Sequence, residues 1–223
     1  MAITPDLNHE LAALAAAVCW ALTGILAAAP AGHLGAIAFN RVRQVTVTLL
    51  LALYVFASGT WRDLSPEVVA PLVLSGLIGI FVGDTLLFTA LNRIGPRRAG
   101  ILFALNAPMS ALLGWVFLGE TLPPLALVGI ALTCAGVMLA ILFGKRPGQS
   151  ARLESVKGPL WIGVALGLGA ALGQSLGSII ARPVMAAGVD PFAASMLRVG
   201  VAAACLSVVM LLPFETVMPR NTL

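Results

Sequence analysis

Three ionisable residues stand where a water-soluble protein would not put them: Arg43, Asp84 and Arg198 each lie inside a long apolar run. A charge near the centre of a bilayer costs about 3 kcal/mol or more, so charges placed there carry either chemistry or a specific packing role. Counted from the expected helix ends at about 1.5 Å per residue, Arg43, Asp84 and Asn106 lie roughly 14, 11 and 12 Å deep and can share one layer. Two roles are open for that layer. In one, Arg43 and Asp84 face a cavity and balance each other until a charged substrate group or a proton releases one of them. In the other they form a static ion pair that only fixes helix packing.

Polar and aromatic residues recur at helical spacing around these charges. Phe103, Asn106, Ser110, Gly114 and Phe117 fall near one face of one expected helix, and Gln174, Ser178 and Arg182 near one face of another. Trp20 and Thr23 of the first helix and Phe88 of the third join them as candidates for substrate contact. Aromatic walls stack a small molecule while amides and hydroxyls orient it; the same groups can simply hydrogen-bond helices together, at about 0.6 kcal/mol per contact. Gly79 with Gly83, Gly163 with Gly167, and Gly173 with Gly177 have the four-residue spacing of small residues that let helices approach closely.

Other motifs point away from catalysis. Gly173-Gln174-Ser175-Leu176-Gly177 satisfies the G-x-S-x-G pattern, but that chemistry needs a strand-to-helix turn with a His and a carboxylate. Here the pattern lies within an apolar helix, and the histidines, His9 and His33, sit near helix ends. Metalloprotease, phosphate-loop and Cys/His signatures are missing from the sequence, so no catalytic residue, metal or other cofactor is expected, and the chain is not expected to be an enzyme. Cys19, Cys134 and Cys205 read as small packing residues. Glu10, beside His9 at the start of the first helix, reads as a solvated helix-start residue, and His33 as an exposed turn residue.

The elements that position these side chains follow from composition. The chain of 223 residues is 60% hydrophobic and 10% charged, against roughly a quarter charged in soluble domains. Apolar stretches of about 20 residues match a bilayer core about 30 Å thick. They predict helices at about 11 to 29, 34 to 57, 68 to 91, 98 to 118, 123 to 143, 159 to 185 and 191 to 212. The runs lack the two-residue alternation of barrel strands, so the fold class is all-α: a polytopic membrane helix bundle of about seven transmembrane helices. Met1 to Glu10 has no basic residue, which argues against a cleaved signal peptide. Between helices, Ser65 reads as an N-cap with Pro66 at the first helical position, and Gly95-Pro96 and Pro123-Pro124 punctuate likewise.

The net charge of +4 comes from basic residues spread over interhelical loops without interleaved aromatics, so a nucleic-acid partner is not expected. Arg41, Arg43, Arg93, Arg97, Arg98, Lys145, Arg146, Arg152, Lys157 and Arg220 fall on the face opposite the N-terminus; Arg62, Arg182 and Arg198 fall on the N-terminal side. The positive-inside rule therefore favours an N-terminus outside the cytoplasm. The longest connection, 144 to 157, is the candidate linker between two units at 8 to 143 and 158 to 214. A faint repeat at an offset of about 155 residues supports it, Leu34-Gly35-Ala36 matching Val189-Asp190-Pro191 and Arg43 matching Arg198. An odd number of helices per unit would place the second unit upside down relative to the first.

One segment carries a family likeness. Leu86-Leu87-Phe88-Thr89-Ala90-Leu91, Asn106-Ala107-Pro108, Leu118-Gly119-Glu120, Gly129 and Gly136-Val137 together resemble the drug/metabolite transporter superfamily in its EamA-like, ten-helix branch. Pro108 would loosen the fourth helix beside a cavity, Glu120 would cap the fifth, and Gly129 and Gly136 would serve close packing. The resemblance implies ten helices in two inverted five-helix halves around a central substrate cavity, and export of amino acids or related metabolites. The chain departs from it by ending after the seventh helix, so that the second repeat is incomplete: it reads as a fragment or truncated product, or as a chain whose cavity a homo-oligomer or partner completes. The family's usual N-terminus-in orientation opposes the charge count and leaves sidedness open.

The expectation is thus a secondary transporter in the cell membrane, either plasma or inner. It would move small metabolites by alternating access around a midplane cavity, driven by a substrate or ion gradient. The alternatives are a transport-inactive scaffold completed by a partner chain and, third, a membrane enzyme, which would need a catalytic cluster the sequence does not show.

Overall fold

The computed structural model describes residues 7 to 143 and 156 to 211. The expected linker lies almost wholly outside the described residues, as do Lys145, Arg146, Arg152 and Arg220, the last residues of the expected second unit, and the side chains of His9 and Glu10. Among the described residues eight long or short α-helical elements run in chain order, with a 3-10 turn at Thr60–Asp63 after the third: α1 Leu7–Leu26, α2 Ala28–Leu34, α3 Ala36–Ser58, α4 Pro66–Ile94, α5 Pro96–Leu118, α6 Pro124–Phe143, α7 Leu160–Ala186 and α8 Pro191–Leu211. The described residues contain no strand. Six of these helices are long and apolar enough to cross a membrane, and a seventh span is made if α1 and α2 count as one, bent by 43°. This is a multi-pass membrane bundle, and its outer surface of Leu53, Leu125, Leu132 and Trp161 is what lipid tails require.

Three local features depart from the regular helices expected. The first span is not one helix to residue 29 but breaks at Ala27. Within α4, residues Gly76–Val82 form a π-helical stretch, a widened winding that is frequent at functional sites. In α5 the helix is interrupted at Ala104 and Leu105. The ring of Pro108 supplies no N–H for the carbonyl four residues earlier and crowds it, so Pro108 loosens this helix as its position suggested. Ser65 occupies the N-cap position of α4, yet its side chain makes no capping bond; its backbone carbonyl accepts from Val68 and Val69 instead. Asp190, by contrast, caps α8, its Oδ1 accepting from the N–H groups of Phe192 and Ala193 at 3.0 and 2.9 Å.

α4 is the centre of the bundle, flanked by α7 on one side and by α3 and α8 on another. Its π stretch meets α7 and α8 through glycine. A Cβ on Gly177 would sit 2.6 Å from Gly79 Cα, one on Gly173 3.3 Å from Gly83 Cα, and one on Gly76 2.5 Å from the Arg198 carbonyl oxygen. Backbones therefore touch directly, and the Ser75 hydroxyl donates to the Gly177 carbonyl at 2.6 Å. Farther along α7, a Cβ on Gly163 would overlap the Ile94 side chain and one on Gly167 would meet Leu102 at 2.7 Å. Gly129 and Gly136 of α6 have nothing within 4 Å of a Cβ, which corrects their reading as packing residues. α6 lies at the edge, against α5.

Candidate functional site

α3 and α4 bring Arg43 and Asp84 together by an ion pair from an Arg43 Nη to Asp84 Oδ2. The pair is embedded in amides. Gln44 Nε2 donates to the same Oδ2 at 2.8 Å and to Asn40 Oδ1 at 3.3 Å, and Arg43 also reaches Asn40 Oδ1 at 3.2 Å. Asn40, Gln44 and Asp84 are all buried. Asn40 and Gln44 were not singled out from sequence; their spacing from Arg43 on one helix was the available signal. Arg198 of α8 approaches from the far side of the π stretch. Its Nη2 lies 3.7 Å from where a Gly79 Cβ would be, and it lies within electrostatic reach of Asp84. Its Nε has no hydrogen-bond partner among the described residues.

A partly open cavity of about 600 Å³ lies beside this cluster, lined by α1, α4, α5 and α7. Seven candidates line it: Trp20, Thr23, Phe88, Phe103, Asn106, Gln174 and Ser178. Trp20 and Phe103 lean on each other with centroids 5.3 Å apart. Arg43, Asp84, Arg198 and Ser110 are not among the lining residues, and Asn106 joins the cavity rather than the charged layer. Phe88 connects the two. One turn beyond Asp84 on α4, it lines the cavity, carries the Arg43 guanidinium 5.1 Å from its centroid and packs edge-on against Phe39 at 5.1 Å. Beyond the cavity, Phe117 is exposed, so the stripe expected on α5 does not stay on an inward face to the end of the helix.

Ser175 is no nucleophile elbow. It is buried inside α7, its hydroxyl placed to donate to the carbonyls of Asn106 at 2.9 Å and Ala171 at 2.8 Å. Glu120 is not the cap of α6 that its position suggested. It pairs with Arg182 of α7, Nη1 to Oε2 at 2.9 Å.

Comparison with known proteins agrees with a membrane helix bundle. Residues 8 to 142 match the model of the EamA-like transporter family. The chain belongs to that family. A Sinorhizobium protein described as "Uncharacterized transporter in cobO 3'region" is 29% identical over 133 residues, covering 59% of this chain and 94% of its own length. This EamA-like protein is therefore a membrane transporter and not an enzyme. The matched segment spans α1 to α6 and contains Trp20, Thr23, Arg43, Asp84, Phe88, Phe103 and Asn106; Gln174, Ser178 and Arg198 come from helices beyond it.

Proposed function

We propose that this chain is a permease or exporter of small metabolites such as amino acids, working in the cell membrane by alternating access around the cavity. The observation that carries the reading is Phe88, one side chain shared by the cavity wall and by the Arg43 and Asp84 pair. Through it, an occupant of the cavity presses on the buried charges. The cavity has the size and the lining of a small-metabolite site, mostly apolar with a few convergent amides and hydroxyls. Two guanidiniums face one carboxylate in the layer behind it, and the surplus positive charge favours substrates that carry a carboxylate. The two units at 8 to 143 and 158 to 214, related as inverted repeats, would rock against each other across the glycine contacts of α4 and α7.

The test is an efflux assay with a panel of amino acids and related metabolites, using the chain reconstituted in liposomes with Asp84→Asn as control. Saturable movement of at least one compound, lost in the control, is expected; no movement of any compound would overturn the reading. Trp20→Ala and Phe103→Ala are each expected to raise the half-saturating concentration about twofold to tenfold with little change in maximal rate, the scale of a lost aromatic contact. Concentration series on the two variants check this.

Helix α6 motivates the second reading, a scaffold completed by a partner or a further copy. Only 6% of its spanning window is buried within the chain. Cross-linking from α6 in native membranes tests it, capture of a helix on that face being the expected result.

A further inference from the structure

We propose that Glu120 and Arg182 form a latch that keeps the cavity closed toward the N-terminal face of the bundle. The proposal rests on the alternating-access reading. On α7, Arg182 stands one turn beyond Ser178, which lines the cavity, and on the same side of the helix. On α5, Gly114 stands two turns beyond Asn106, another lining residue. The pair thus lies on the continuation of the cavity's α5 and α7 walls, at the ends of both helices.

The chain is bent to place it there. α5 stops at Leu118, Gly119 takes a left-handed φ of 66°, and the Glu120 N–H closes back on the Gly114 carbonyl at 3.3 Å. This helix-ending turn sends the Glu120 side chain back along the helix it has just left. Gly114 leaves the room: a Cβ there would sit 2.5 Å from Glu120 Oε2 and 3.1 Å from Arg182 Nη1. The pair fills the place of a side chain and bridges α5, inside the family-matched segment, to α7, outside it.

Its energetics suit a latch. The two side chains are 38% and 53% exposed, so water replaces each partner when the pair opens. An exposed pair of this kind biases an equilibrium by about fivefold at most. It can hold one state without locking it.

The experiment uses Ser178→Cys in a chain whose Cys19, Cys134 and Cys205 are replaced by alanine, reconstituted in liposomes and labelled by a membrane-impermeant maleimide from each side in turn. Glu120→Gln and Arg182→Gln are each expected to raise labelling from the N-terminal face up to about fivefold, the limit for an exposed pair, leaving labelling from the other face unchanged. The reversed pair Glu120→Arg with Arg182→Glu should return it toward the starting value. Gly114→Ala should act like Glu120→Gln and add nothing to it. Unchanged labelling in both glutamine variants, or an equal rise from both faces, would overturn the latch, the second result meaning general loosening. A chain that moves no substrate yet shows the one-sided rise would tell against the permease reading and leave the latch standing.

Discussion

Asp84→Asn is expected to reduce transport at least about a hundredfold, because it leaves the Arg43 and Arg198 guanidiniums in the membrane layer with no carboxylate between them. Breaking a buried pair from one side costs about 3 to 5 kcal/mol, most of it the penalty of the stranded charge. Here the stranded partners are worse placed than usual, since the Arg43 Nε and Arg198 Nε atoms already lack hydrogen bonds among the described residues. Arg43→Gln should be milder, because Asp84 keeps the Gln44 amide at 2.8 Å and the field of Arg198. The double variant separates the two roles the pair can have. If the pair only fixes packing, removing both charges brings assembly and transport back to the same extent, short of wild type because Arg198 still lacks its carboxylate. If it responds to the substrate, assembly returns and transport does not. Efflux alongside size-exclusion profiles of the four proteins decides between them, and wild-type rates in both single variants would rule out the functional role.

The second large effect is expected at glycine. Gly177→Ala would set a methyl 2.6 Å from Gly79 Cα, 2.9 Å from its nitrogen and 3.0 Å from the Ser75 carbonyl oxygen. All three are backbone atoms, so no side-chain rotation relieves the clash. Overpacking costs typically about 1 to 3 kcal/mol, and the loss of the bond from Ser75 to Gly177 adds to it. Gly76→Ala meets the Arg198 backbone in the same way. Gly129→Ala and Gly136→Ala, with open space around them, should be neutral or gain up to about 1 kcal/mol from helix propensity. Thermal unfolding of the purified variants in one detergent checks the contrast. Equal melting temperatures for Gly177→Ala and Gly129→Ala would contradict the packing described.

Much of the architecture was legible because a bilayer imposes a length. The expected helices fall within a few residues of those found, from the second through the seventh span, since apolar runs bounded by Gly and Pro leave little freedom. Side-chain neighbourhoods were legible only in part. Phe103, Asn106, Gln174 and Ser178 were singled out by spacing along single helices, and they meet at one cavity because these parts of the two stripes face inward. What depends on how helices break was not legible. Glu120 was read as a cap because it precedes α6; the left-handed Gly119 that turns it back toward Arg182 leaves no mark that distinguishes it from any other helix-ending glycine. Gly76 was missed because its partner is the backbone of Arg198, which no spacing rule reaches.

The wide stretch at Gly76–Val82 has a consequence for sequence change along α4. It accommodates about one residue more than a regular helix of the same rise. A one-residue deletion there is thus the change α4 should accept best, letting it wind regularly while Asp84 keeps its bearing. A deletion between Asp84 and Phe88 has no such slack. It would turn one of the two residues out of phase with the other by about 100° and separate the cavity wall from the charges behind it.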